Sequence, residues 1–144
     1  MSDSEKEWLL MVDGAARGNP GAAGCGAAIC DENGTVVQEL SRYLGRTTNN
    51  VAEYEALLMG LEALNQLGRK KIAVHSDSQL LVRQLSGEYR VKDEKLKVLY
   101  QRAMTLLRHF DSYRILHVRR EFNKIADRLA NRGIDEAAKQ KGAG

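Results

Sequence analysis

The chain has 144 residues, of which 43% are hydrophobic and 28% are charged, and its formal net charge is +3. These values are typical of one globular domain with a single core, and the mild positive charge permits nucleic-acid binding without requiring it. No apolar run approaches the ~20 residues that span a bilayer, and the polar, acidic start MSDSEKEW is unlike a signal peptide. We therefore expect one cytoplasmic domain over residues 1–144, with an ordered core over about 7–138 and no membrane contact.

Three strands are predicted before the first helix. The apolar run EWLLMVD (7–13) ends at a turn signal, and the small-residue run AGCGAAIC (23–30) follows it. The sequence DENG (31–34) is typical of a hairpin turn and leads into TVVQELSRYLG (35–45). Because nothing suggests an oxidising compartment, the two cysteines of the second strand are expected to be reduced thiols.

Helices and strands alternate in the rest of the chain. Leu57, Leu58, Leu61 and Leu64 form an apolar stripe at helical spacing. The predicted elements are a helix over 49–68, a strand over 71–77, helices over 78–87 and 93–110, a strand over 113–120 and a helix over 123–140. This order predicts an α/β fold in which helices pack on a mixed sheet.

Four acidic residues are predicted at the ends of four elements. Asp13 would end the first strand, Glu53 would lie in the first turn of the first helix, Asp77 would end the fourth strand, and Asp127 would lie in the first turn of the last helix. Each has a structural explanation on its own, such as a helix cap by Asn50 with Glu53. Together they could meet at the edge of the sheet where ligands bind in α/β folds. Because four carboxylates repel one another, that arrangement predicts a hard cation such as magnesium or manganese.

Four blocks of the sequence resemble a known family. The segments DGAARGNPG, TTNNVAEYEAL, HSDSQLL and NKIADRLAN are similar, in order and spacing, to the signature blocks of type 1 ribonuclease H, and the resemblance covers residues 8–135. It implies the ribonuclease H-like fold, an α/β fold whose five-stranded mixed sheet has strands one to three antiparallel and helices on both faces. It also implies hydrolysis of the RNA strand of RNA–DNA hybrids.

The resemblance assigns the metal site as well. It implies two Mg²⁺ ions, with Mn²⁺ as a possible substitute, held by Asp13, Glu53, Asp77 and Asp127. Two such ions about 4 Å apart can activate a water and stabilise the leaving oxygen of an in-line displacement. We expect a monomer whose partner is the hybrid and which needs no obligate protein partner.

The same resemblance implies contacts to the substrate. RNA is distinguished from DNA by its 2′-hydroxyl, and glycines allow the backbone to approach the sugar closely. The implied assignments are Asn19 and Gln79 to the RNA strand, Asn49 and Asn50 to the minor groove, and Arg46 and Thr48 to a phosphate of the DNA strand. The alternative for the loop RTTNN is a polar turn with a helix cap.

The sequence departs from the family pattern in two places. A histidine-bearing loop common in the family is replaced by the short stretch VRREFNKIAD, and a basic protrusion bearing tryptophan is replaced by SGEYRVKDEKLK. We expect Arg120 to end the last strand and to reach the scissile phosphate, with Arg119 facing the opposite way. No separate hybrid-binding domain is expected before the catalytic core.

Two other functions remain open from the sequence. The chain could be a nuclease of the same fold that prefers another substrate, such as double-stranded RNA. It could also be a non-catalytic nucleic-acid-binding module, because fold alone does not fix function. The presence of all four acids argues against the second alternative.

Overall fold

Five strands form one mixed sheet in the computed structural model, which describes residues 6–143, with side chains to Gln140. The strands are β1 (Trp8–Gly18), β2 (Gly21–Cys30), β3 (Val36–Thr47), β4 (Lys71–Ser76) and β5 (Ser112–His117). Their order across the sheet is β3-β2-β1-β4-β5. The pairs β1–β2 and β2–β3 are antiparallel, whereas β1–β4 and β4–β5 are parallel. The predicted mixed sheet with three antiparallel strands is confirmed.

In the described part of the chain, four helices lie between and after the later strands. They are α1 (Asn49–Gln66), α2 (Gln79–Leu85), α3 (Glu94–Leu107) and α4 (Lys124–Ala143), and a single 3-10 turn (Arg120–Phe122) precedes α4. Thr48, Ser78 and Asp93 cap the first three helices by accepting hydrogen bonds from backbone N–H groups in the first turn. None of the helices within residues 6–143 combines the length and the apolar character that a membrane crossing requires.

The alternation of side chains along β1 divides the core between the two faces of the sheet. Leu10 and Val12 pack in the larger cluster with residues of α1 and α3, whereas Met11 packs with Ala126 and Leu129 of α4. The buried residues of α1 surround most of its circumference, because α1 lies between the sheet and α3. The expected helices on both faces are confirmed.

The first strand is longer than predicted. Residues 14–18 continue β1 by pairing with residues 21–25 of β2, and the chain turns only at Asn19 and Pro20. The prediction that Asp13 ends the strand is therefore wrong, because small residues can continue a ladder when a partner strand satisfies their backbone groups. The parallel pairing of β1 with β4 does end nearby, at Val12 and Ser76. Because Val12 and Ser76 are paired, the residues that follow them, Asp13 and Asp77, still lie close together at one edge of the sheet.

Two glycines allow helices to approach Asp13 from opposite faces of the sheet. Gly26 pairs with Asp13, and a Cβ at Gly26 would lie 2.5 Å from backbone atoms of Ala126 and Ala130 in α4. A Cβ at Gly14 would collide with backbone atoms of α1 at Ala52 and Glu53. Such separations are shorter than real Cβ contacts, so any side chain here would force a helix away from the sheet.

We expect Gly26→Ala to lower the free energy of unfolding by about 3 kcal/mol, because α4 must move off β2 to accept the methyl group. Gly34→Ala is the matched control. Gly34 has a positive φ of 83° but open space around it, so alanine there should cost only about 1 kcal/mol. Urea unfolding in metal-free buffer measures both, and equal losses would contradict the close packing of α4.

Candidate active site

Three carboxylates meet at one edge of the sheet. Oxygen atoms of Asp13 in β1, Glu53 in α1 and Asp77 after β4 all lie within 4.8 Å of one another. The prediction that Glu53 lies in the first turn is wrong, since α1 begins at Asn49 and Glu53 occupies its second turn. The cap is Thr48 rather than Asn50, and Ser78 rather than Asp77 caps α2. The acids therefore have no capping role of their own.

The fourth carboxylate comes from the first turn of α4, as predicted. The side chain of Asp127 lies within hydrogen-bonding distance of Asp13 and remains 32% exposed. Asn123, which is fully buried, fixes the start of α4 by donating from Nδ2 to the carbonyl oxygen of Val12 at 2.8 Å. This bond ties the last helix to the residue before Asp13.

The four acids line an open cleft of about 650 Å³. The residues that complete its wall are Gly14, Ala15, Ala16, Arg17, Asn49, His117, Val118, Arg119, Arg120, Glu121 and Asn131. They come from the far part of β1, the start of α1, the connection from β5 to α4, and the second turn of α4. The cleft therefore opens at the carboxyl ends of the parallel strands, where α/β proteins bind ligands.

The acid cluster has the chemistry of a divalent metal site. Glu53 is 4% exposed, and its Oε2 atom has no hydrogen-bond partner. A buried carboxylate oxygen without a partner is costly unless a cation or proton satisfies it. Oxygen-only ligands fit hard cations such as magnesium. Asp13, Glu53, Asp77 and Asp127 are therefore a suitable ligand set.

Comparison with known proteins identifies the family. A family model described as reverse transcriptase-like matches residues 11–133. Ribonuclease HI of Halobacterium salinarum is 44% identical over 125 residues, which are 87% of this chain and 63% of that protein. The bifunctional protein Rv2228c of Mycobacterium tuberculosis is 43% identical over 94% of this chain.

This chain belongs to the type 1 ribonuclease H family. The structure of the N-terminal ribonuclease H domain of Rv2228c superposes with a TM-score of 0.91 at 41% identity, covering 95% of this chain and 99% of that one. The structure of LC11-RNase H1 in complex with an RNA/DNA hybrid gives a TM-score of 0.87 at 42% identity, covering 91% and 99%. The chain spans only 37% of the full length of Rv2228c.

The residues that were predicted to contact the substrate of this ribonuclease H family member do not all lie in the cleft. Asn49 lines the cleft, and its backbone N–H donates to Oδ1 of Asn19 at 3.1 Å. Thr48 uses its hydroxyl as the α1 cap. Of the remaining three predicted contacts, Arg46 and Gln79 are exposed and Asn50 is half-buried, and none of them lines the cleft wall.

The predicted position of Arg120 is wrong. β5 ends at His117, so Arg120 lies in the 3-10 turn rather than in a strand. Because strand alternation does not apply there, Arg119 and Arg120 both line the cleft. The Nη2 atom of Arg120 lies 3.9 Å from Oδ1 of Asp127, and the Arg120 side chain is 81% exposed.

Among the residues of the cleft wall that sequence reasoning missed are Arg17, His117, Arg119 and Asn131. Two of them carried a usable signal. His117 ends a strand parallel to β4, and Asn131 follows Asp127 by four residues on the same helix. Arg17 and Arg119 carried none, because the strand bounds that position them became clear only in the structure.

Burial and mutual repulsion raise the pKa values of two acids. The pKa of Asp13 rises from 3.8 to about 8, chiefly through burial, then through the charge of Asp77 and the contact with Asp127. The pKa of Glu53 is also raised well above its usual value, first by burial and then by the charges of Asp13 and Asp77. The backbone N–H of Gly14 partly offsets this by donating to the Glu53 carboxylate.

In metal-free buffer we expect the free energy of unfolding to fall as the pH rises from about 4 to about 8. Across this range folded Asp13 keeps a proton that the unfolded chain has lost, so deprotonation favours unfolding by up to about 1.4 kcal/mol per pH unit. Asp13→Asn should flatten the decline, whereas Asp111→Asn, which removes an exposed carboxylate outside the cleft, should not. Chemical denaturation with EDTA at several pH values measures this. Parallel curves for wild type and Asp13→Asn would contradict it.

Proposed function

We propose that this chain is an endoribonuclease that hydrolyses the RNA strand of RNA–DNA hybrids. The observation that carries the proposal is the convergence of Asp13, Glu53, Asp77 and Asp127 in one open cleft, with a buried oxygen of Glu53 unpartnered. The similarity to LC11-RNase H1, whose structure contains an RNA/DNA hybrid, supports this choice of substrate.

The proposed cofactor is Mg²⁺, with Mn²⁺ as a substitute and two ions when substrate is bound. Bound by these four carboxylates, the ions would lower the pKa of an attacking water and stabilise charge on the attacking and leaving oxygens. The chain holds these carboxylates in place. Glu53 is fixed by burial and by the Gly14 N–H, and Asp13 is fixed in a paired strand. Asp77 and Asp127 face the more open side.

The substrate would lie over the start of α1. The hydrogen bond between Asn19 and the backbone of Asn49 joins the β1–β2 turn to this helix, so both residues belong to one continuous polar surface. We assign this surface to the sugar edge of the RNA strand, with Gln79 on the same strand and Asn50 in the minor groove. Arg46 and Thr48 are assigned to a phosphate of the DNA strand.

A monomeric state and a cytoplasmic location remain predictions.

Arg120 is proposed to act on the scissile phosphate. Its guanidinium lies beside Asp127 and is mostly exposed, so it can leave this weak pair and contact an incoming phosphate. A planar guanidinium can stabilise the charge that develops on phosphate oxygens in the transition state. Arg119 is close enough in the cleft to share this role, so it is not a suitable inactive control.

Asp77→Asn should abolish cleavage of a hybrid in Mg²⁺, with a loss of at least about a hundredfold, because it removes a charge needed to hold the cation. The fold should persist, since Ser78 caps α2. End-labelled RNA–DNA hybrid, double-stranded RNA and double-stranded DNA, each with Mg²⁺ or Mn²⁺, provide the measurement.

The wild-type chain should cut the RNA strand of the hybrid and leave double-stranded DNA intact. Faster cleavage of double-stranded RNA would replace the proposed substrate. Binding of the hybrid without any cleavage would indicate a non-catalytic module. Full activity of Asp77→Asn would contradict the assignment of the four acids.

Arg120→Ala should lower kcat by more than about tenfold with a smaller change in KM, because the contact is made mainly in the transition state. Arg120→Lys should recover only part of the loss, since lysine lacks the planar fork. Arg132→Ala is the control, because it removes an exposed arginine of α4 that pairs with Glu136 outside the cleft. Steady-state kinetics on the hybrid distinguish these variants, and equal kcat values for Arg120→Ala and Arg132→Ala would exclude the role.

A further inference from the structure

A row of polar side chains runs along α4 from the acid cluster. Asp127, Asn131 and Asp135 are spaced by four residues, so they lie on one face of the helix. We call them the α4 polar row. The Nδ2 atom of Asn131 donates to the backbone oxygen of Asp127 at 3.0 Å and lies 3.4 Å from its carboxylate Oδ1. Asn131 therefore contacts one of the four metal-binding candidates directly.

Arg17 connects this row to β1. Its Nη2 atom lies 2.8 Å from Oδ1 of Asp135 and 3.4 Å from Oδ1 of Asn131. The amide of Asn131 is thus held at both ends, by the helix backbone through Nδ2 and by Arg17 through Oδ1. These two contacts favour the orientation of the amide in which its N–H is directed at the Asp127 carboxylate.

Asp127 needs such an orienting contact more than the other three acids do. Asp13 and Glu53 are buried, and with Asp77 they form the compact group of oxygens, whereas the side chain of Asp127 is 32% exposed. The ion pair of Asp127 with Arg120 is 3.9 Å long and involves a side chain that is 81% exposed. A long, exposed pair holds its partners weakly.

We propose that Asn131, held by the Arg17–Asp135 ion pair, is a positioning residue that orients the carboxylate of Asp127 for a divalent cation. This inference rests on the proposed function, because it deepens the assignment of Asp127 as a metal ligand. Partners behind a metal ligand fix its orientation, and their loss commonly weakens metal binding by about tenfold or more.

Asn131→Leu should raise the Mg²⁺ concentration for half-maximal cleavage of the hybrid by about tenfold. It should raise by the same factor the Mg²⁺ concentration that gives half of the thermal stabilisation of the substrate-free protein. At saturating Mg²⁺, kcat and KM should stay within about threefold of wild type, because the ligands themselves remain. Asn131→Gln keeps an amide donor and should recover part of the loss.

Arg17→Met should shift both Mg²⁺ midpoints in the same direction by about threefold, and should add little when combined with Asn131→Leu, because Arg17 acts through Asn131. Arg128→Met is the matched control. It also removes one arginine and one short ion pair between α4 and the sheet, that of Arg128 with Glu39 at 2.7 Å, without touching the α4 polar row. Its midpoints should equal those of wild type.

The outcomes separate the two proposals. Unchanged midpoints in Asn131→Leu, with wild type cleaving normally, would overturn the positioning role and leave the proposed function intact. A wild type that binds Mg²⁺ without cleaving the hybrid would overturn the function, and the thermal midpoints would still decide whether Asn131 orients Asp127. If Asn131→Leu fails to fold in EDTA, the midpoints of Asn131→Gln and Arg17→Met carry the test. Shifts in Arg128→Met equal to those in Arg17→Met would also overturn the positioning role.

Discussion

The close approach of two helices to one point of β1 is the constraint on which the rest of this structure depends. Gly14 lets α1 pack against one face of the sheet, and Gly26, opposite Asp13 in the ladder, lets α4 pack against the other. A side chain at either position would meet helix backbone, which cannot repack as a side chain can. Because both helices are this close, Glu53 and Asp127 reach Asp13.

This arrangement places stability and function in opposition. Burial and repulsion raise the pKa values of Asp13 and Glu53, so the metal-free fold is least favoured at the pH where the carboxylates are ready to bind a cation. Neighbouring polar contacts offset part of that cost. The Gly14 N–H donates to Glu53, and Asn123 fixes the start of α4 on β1. A divalent cation would supply the remaining compensation, since it binds the folded chain preferentially.

The two sides of the cluster differ in how firmly they are held. Asp13 and Glu53 are fixed by the core, whereas Asp127 lies toward solvent among Arg120, Asn131 and the connection from β5. In this chain the connection from β5 to α4 is short and contains Arg119 and Arg120. The exposed side is therefore where substrate phosphate would enter, and where orientation depends on polar contacts rather than on packing.

The sequence by itself determined the family, the order of helices and strands, and the four acids, because hydrophobic periodicity and the four motif blocks are local patterns. Its assignment of Asn19 and Asn49 to the substrate stays a prediction, although the structure joins these two residues by a hydrogen bond. It did not determine that β1 continues past Asp13, that Glu53 lies in the second turn of α1, or that Arg120 follows the last strand. The first depends on the β1–β2 ladder and the third on where the β4–β5 ladder ends, whereas the position of Glu53 follows from the local helix start that Thr48 caps. The contact of Arg17 with Asn131 was likewise decided only by the tertiary structure, because it joins residues more than a hundred positions apart.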